Sequence, residues 1–126
     1  MTVVYKNPAH QKIYKSFILL STFKYSNDFL AAAFLLSADR SLWSRARNAF
    51  SGNEIDFDAI DEHDLSTYAY TLLKIAQDIY EGTQHFDLKD FGDPFITSNK
   101  TFLLFTEALR IMREGYEALG ITKRFN

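Results

Sequence analysis

The run Phe29-Leu-Ala-Ala-Ala-Phe-Leu-Leu36 is apolar on every side when it is wound as a helix. Such a helix is stable in water only when other elements cover it all round, so it belongs at the centre of a domain. Ser26, Asn27 and Asp28 stand just before it as candidate caps. Its eight residues fall far short of the about 20 that a membrane span needs, so it reads as a core helix and no membrane is expected as a partner.

The rest of the chain supplies covering helices. Asn7-Pro8 reads as a cap followed by proline at the first helical position, and Ile13, Tyr14, Phe17, Ile18 and Leu20 make an apolar face that runs to about Phe23. Asp39 opens a third helix with Leu42, Trp43, Ala46 and Phe50 on one side, and Gly52 reads as its left-handed stop. A fourth helix runs from Ser66 to Glu81, with Leu65, Ala69, Leu72, Ala76 and Ile79 at alternating spacings of four and three, and Gly82 ends it. The last begins near Ser98 or Asn99 and carries Phe102, Phe105, Leu109, Met112, Tyr116 and Leu119 at spacings of three and four. Gly120 stops it, and Ile121 is placed for the apolar contact of a Schellman end.

The expectation is an all-α fold, a single compact helical domain over residues 1–126. Its bundle of about five helices lies near 8–23, 28–37, 40–50, 66–81 and 99–119, with two irregular loops. The first loop is acidic and pegged down by Ile55, Phe57 and Ile60, with Asp64 read as a cap for the fourth helix. The second has pegs at Phe86, Leu88, Phe91 and Phe95, and a turn at Asp93-Pro94. Thr2 to Tyr5 is the one strand candidate, with no partner unless a second copy of the chain supplies an edge. Twelve Phe, seven Tyr and Trp43 are many for a core of this size to hide, and the last two long helices offer apolar seams, so a two-fold homodimer is expected.

Few catalytic chemistries are open to this chain. With no cysteine there are no thiol nucleophiles, disulfides or thiolate metal sites. Gly52, Gly82, Gly92, Gly115 and Gly120 are too far apart to form a phosphate-cradling loop, and no Gly-x-Ser-x-Gly elbow is present. No catalytic residue, cofactor or metal ligand is therefore assigned. His10, His63 and His85 each stand alone in their segments and read as exposed or capping residues. His63-Asp64 matches the metal-binding doublet of helical phosphohydrolases in those two residues only, since Glu62 and Ser66 replace the flanking pattern. Glu54, Asp56 and Asp58 occupy the first three acidic positions of a calcium loop, but Ala59 replaces the turn glycine and Leu65 the closing glutamate. Asp61-x-x-Asp64 and Asp87-x-x-Asp90 have the spacing of magnesium-binding pairs in helical pyrophosphatases, yet they sit at loop edges where aspartate is favoured for capping.

A net charge of −2 gives no field for nucleic acid, and Arg40, Arg45, Arg47, Arg110, Arg113, Lys123 and Arg124 read as ordinary surface groups. Met1 to Pro8 has no apolar signal region, so a cytoplasmic location is the default expectation.

His10 and Tyr14, then Asp28 opening Ala-Ala-Phe-Leu-Leu-Ser-Ala-Asp, Leu42-Trp43, Ile55-x-Phe57, Leu65-Ser66 and Tyr80-Glu-Gly together resemble small uncharacterised proteins of Gram-positive bacteria and their phages, known as a domain of unknown function. The likeness covers about half the chain, rests on core and cap residues, and brings no catalytic residue with it. It implies an accessory protein of phage type. The expected function is a non-enzymatic protein-interaction module, such as an inhibitor of a host defence protein, which meets a basic surface on a protein partner through Glu54, Asp56, Asp58, Asp61 and Glu62. The competing expectation is a metal-dependent hydrolase built from the Asp and His residues of 56–64 together with His85.

Overall fold

A computed structural model describes residues 2–122. The fold is mostly helical and built around the apolar run. Helix α2, Asn27–Leu36, is capped by the Ser26 hydroxyl, which accepts from the Phe29 N–H, and every residue from Phe29 to Leu36 is buried. It packs chiefly against α4, Thr67–Glu81, and α6, Asn99–Glu114. Ser66 and Ser98 cap these two helices by accepting from Ala69 and Thr101. Asp64 does not cap α4. It lies two residues before the cap Ser66, in the left-handed region at φ 59°, where its carboxylate faces water beside His63.

Helix α1, Pro8–Leu20, starts as expected, with the Asn7 side chain accepting from the His10 N–H at 2.8 Å. It ends at Leu20 rather than near Phe23, because the Ser21 hydroxyl takes the Phe23 N–H and turns the chain outward. Helix α3, Arg40–Ala46, is capped by Asp39, tightens into a 3-10 turn over Arg47–Ala49, and then leaves helical geometry. Strand β1, Phe50–Ser51, pairs antiparallel with β2, Glu54–Ile55, with Phe50 opposite Ile55. The fold is therefore not purely all-α. Gly52, at φ 61°, is not a helix stop but the first residue of the Gly-Asn turn of this small hairpin.

Two further departures shape the C-terminal half. Within the second loop lies α5, Leu88–Phe91, a single turn held by a capping box in which Asp87 and Asp90 each accept the other's N–H. Helix α6 stops at Glu114 rather than running to 119. Gly115, at φ 63° and ψ −135°, takes a conformation that L side chains avoid, and a Cβ there would lie 2.3 Å from the Asn27 Oδ1. Asn27 uses that space to donate to the Met112 carbonyl at 3.0 Å, which locks α2 to α6. A 3-10 turn, Gly115–Leu119, follows and closes with both Schellman bonds, Gly120 N–H to Glu117 O at 3.1 Å and Ile121 N–H to Tyr116 O at 3.3 Å.

Residues Thr2 to Tyr5 form no strand. They lie as an extended strap, tied by the Val3 N–H to the Ala118 carbonyl at 2.9 Å and by the Val4 N–H to the Glu107 carboxylate at 3.0 Å. Most aromatics are consumed inside. Phe17, Tyr25, Phe29, Trp43 and Phe50 form one cluster, with Tyr25 and Phe29 stacked at 4.1 Å. Tyr5, His10, Tyr14 and Phe34 form a second. No helix among the described residues is long and apolar enough to cross a membrane.

Candidate functional site

The surface feature least explained by folding lies on α6. The large residues of its seam suggest a core face, but the helix is turned so that Thr101, Leu104, Ala108, Ile111 and Gly115 point inward. Small side chains on that side let α2 approach closely. Phe102 and Leu109 are left 41% and 43% exposed, while Phe105 and Met112 are half-buried. Phe105 stacks on Phe91 at 3.9 Å and 5° between planes, and Phe91 meets Phe86 at 6.0 Å, so α5 is fastened to α6 through rings.

Between α5 and α6 runs an open groove of about 640 Å³, lined chiefly by Leu88, Phe91, Pro94, Phe102, Phe105 and Leu109. Leu88 and Phe95 are not pegs. Leu88 is 89% and Phe95 99% exposed, because the capping box and the Asp93 turn, whose carboxylate accepts the Phe95 N–H at 2.9 Å, hold the backbone with both side chains outward. The Thr97 hydroxyl, bonded to the Asp90 carbonyl, fixes the end of this segment. From the N-terminal side, Asp78 on α4 holds residues 83–86 by accepting from the Thr83 hydroxyl and from the backbone N–H groups of His85 and Phe86. Burial alone would raise its pKa, but these bonds hold the carboxyl below the ordinary value. No sequence pattern marks Asp78 for this role, since its partners lie across a loop.

The acidic loop has the opposite character. Ile55, Phe57 and Ile60 are buried as expected, and Glu54, Asp56, Asp58, Asp61 and Glu62 are exposed. Several of these acids serve the loop itself. Asp56 accepts from the Asp58 N–H and Asp61 from the His63 N–H, while Glu62 pairs with Lys74 of α4. Arg45 of α3 clamps the loop by donating to the Asp61 carbonyl at 2.9 Å and to the His63 carbonyl.

The histidines are scattered. His10 is buried, not exposed. Its Nε2 meets the Phe34 carbonyl at 2.8 Å and its Nδ1 accepts the Lys6 N–H at 3.0 Å, so the ring is neutral with its proton on Nε2. Burial lowers its pKa to about 4. His63 sits in the open at 3.2 Å from Asp64, and His85 pairs with Asp78 at 2.7 Å. The residues of 56–64 and His85 are thus not brought together, and among the described residues no three His, Asp or Glu side chains gather as a metal-binding group. Asp87 and Asp90 are engaged with each other's backbone. Among the basic groups Arg40, Arg47 and Arg113 are exposed, Arg110 bridges Glu107 and Glu114, and Lys123 and Arg124 lie outside the described residues.

No protein-family model, curated protein or solved structure matches the chain.

Proposed function

We propose that this chain is a protein-interaction module that acts by binding rather than catalysis, and that its primary docking surface is the α5–α6 groove, occupied by a second copy of the same chain. The observation that carries this reading is the exposed part of the α6 seam. Phe102, Leu109 and Leu88 in the groove, with Phe95 next in the chain to its wall residue Pro94, are apolar side chains that the fold leaves in water. Burying such a side chain is worth about 1.5–3 kcal/mol, so a partner that covers several of them gains enough to offset the cost of association.

A second copy fits because the chain carries both halves of a contact side by side. Phe95 is a projecting apolar peg next to Pro94, and Pro94 belongs to the groove wall. A two-fold axis beside the groove places the peg of each copy in the groove of the other, the self-complementary arrangement of an isologous dimer. The resemblance to proteins of Gram-positive bacteria and their phages gives the dimer a setting as an accessory protein that inhibits a host defence protein by binding it, with Glu54, Asp56, Asp58, Asp61 and Glu62 facing a basic partner surface.

Sedimentation over a concentration series tests the groove. Wild type is expected to approach twice 14.6 kDa as concentration rises, while a Phe102→Glu, Leu109→Glu variant with an unchanged circular-dichroism spectrum stays at 14.6 kDa. A wild-type chain that remains monomeric at high concentration overturns the proposal, as does a variant that dimerises equally well.

A further inference from the structure

On the other flank of α6, between that helix and the N-terminal strap, lies a half-enclosed cleft of about 420 Å³. From its geometry we infer a binding site for a small organic anion with an apolar body, such as a medium-chain carboxylate. Val4, Tyr5, Leu103 and Leu104 line it with apolar surface, and Val4 and Leu103 are each 64% exposed, so a ligand lying between them removes apolar area that the fold leaves wet. The volume falls in the range of small-molecule pockets, and a mostly apolar lining with a few polar groups is their usual composition.

The charged groups set the sign of the ligand. Lys6, Lys100 and Glu107 border the cleft. The Glu107 carboxylate is already engaged, since it accepts the Val4 N–H at 3.0 Å and lies 3.5 Å from the Arg110 guanidinium. Lys6 rests its ammonium 4.8 Å from the centre of the Tyr68 ring, and among the described residues neither Lys6 nor Lys100 makes an ion pair. Two cations at the border of an apolar cleft thus have no ion-pair partner among the described residues, which favours an anionic head and disfavours a cationic one. The wall is also preformed. The strap is tied by the N–H groups of Val3, Val4 and Lys6, which donate to the Ala118 carbonyl, the Glu107 carboxylate and the His10 Nδ1, and Asn7 is fixed by capping α1, so little order is lost on binding.

Titration of the ¹⁵N-labelled chain with octanoate, octanol and octylammonium, read from amide shifts, tests the assignment. Octanoate is expected to shift the amides of Val4, Lys6 and Leu103 saturably and to bind more tightly than either analogue. Lys100→Glu is expected to weaken octanoate by about tenfold while leaving octanol unchanged. Lys100 is exposed on the first turn of α6, so this variant keeps the fold. The same titration in the Phe102→Glu, Leu109→Glu variant is expected to give the same octanoate affinity, which separates the cleft from the dimer groove. Equal binding of all three amphiphiles, no saturable shift at the strap, or an octanoate affinity unmoved by Lys100→Glu overturns the inference.

Discussion

The acidic loop of residues 50–66 interrupts the helical pattern, as does the stretch of residues 86–98 that leads into the first turns of α6, and both regions carry apolar residues among polar ones. They resolve in opposite ways. In the loop Ile55, Phe57 and Ile60 reach the core and the acids stay in water, where Arg45 and Lys74 tie the frame to α3 and α4. In the later segment Asp87, Asp90 and Asp93 spend their side chains on turns and caps, while Leu88, Phe95, Phe102 and Leu109 are left outside. On the proposed reading, the self-association surface follows unfinished burial rather than density of charge, because Asp56, Asp61 and Glu62 have local duties in the loop and water satisfies the remaining charge. Unfinished burial is the better guide, since water does not satisfy an exposed phenyl ring.

The contrast fails first if the loop is not anchored. Phe57→Ala is expected to cost about 3 kcal/mol of unfolding free energy through the cavity it leaves, whereas Phe95→Ala is expected to change the monomer by less than about 0.5 kcal/mol. Urea unfolding of both variants at a dilution that keeps the chain monomeric makes the comparison. Similar losses for the two would erase the distinction between a closed loop and an open ridge.

Acid should weaken the whole fold before it touches either region. His10 has a folded pKa of about 4 against an ordinary 6.5. The unfolded chain therefore takes up a proton first as pH falls, and stability contributed by the neutral buried ring is lost between pH 6.5 and about 4, by up to roughly 3 kcal/mol. Unfolding curves at pH 7 and pH 4.5 should show that loss in wild type and a smaller one in His10→Gln. An equal acid effect in both would remove His10 as its source.

Gly115→Ala bears on where the outward seam ends. It forces a Cβ into the Asn27 amide and strains φ 63°, for an expected cost of about 2 kcal/mol. Asn27→Ala, which vacates the space, should lower the further cost of Gly115→Ala, measurable as a coupling in a double-mutant cycle. Additive losses would mean that the contact is not what breaks the helix. The smallest effect is expected from Asp56→Asn, Asp58→Asn and Asp61→Asn together, within about 0.5 kcal/mol of wild type and without change in the dimerisation constant. A dimer strengthened or abolished by that triple variant would move the interface to the loop.

Much of this fold is legible in the chain. Asn7, Ser26 and Asp39 each cap the helix expected of them, α4 and α6 begin where expected although Ser66 takes the capping role expected of Asp64, and the pegs Ile55, Phe57 and Ile60 are buried. What escapes a periodicity reading has physical causes. The hairpin at Gly52-Asn53 is two residues per strand, shorter than any alternation can reveal. Helix α5 is one turn long, and its capping aspartates resemble metal-site spacing as readily as a cap. The orientation of α6 is hidden because its inward face mixes Leu104 and Ile111 with the small or polar Thr101 and Ala108, while Phe102 and Leu109 stay outside. Hydrophobic spacing counts Phe102 and Leu109 as core along with Phe105, Met112, Tyr116 and Leu119, and the two that stay outside mark the candidate surface.

The absence of cysteine allows the most direct test, since a single introduced thiol reports on one position alone. Leu109→Cys places it on the ridge and Asp58→Cys on the loop, both exposed in the single chain. The rate of thiol labelling is then followed as protein concentration rises. The ridge thiol is expected to become protected in step with dimer formation while the loop thiol reacts at a constant rate. Protection of the loop thiol, or a ridge thiol that stays fully reactive in the dimer, would contradict the assignment of the α5–α6 ridge as the interface.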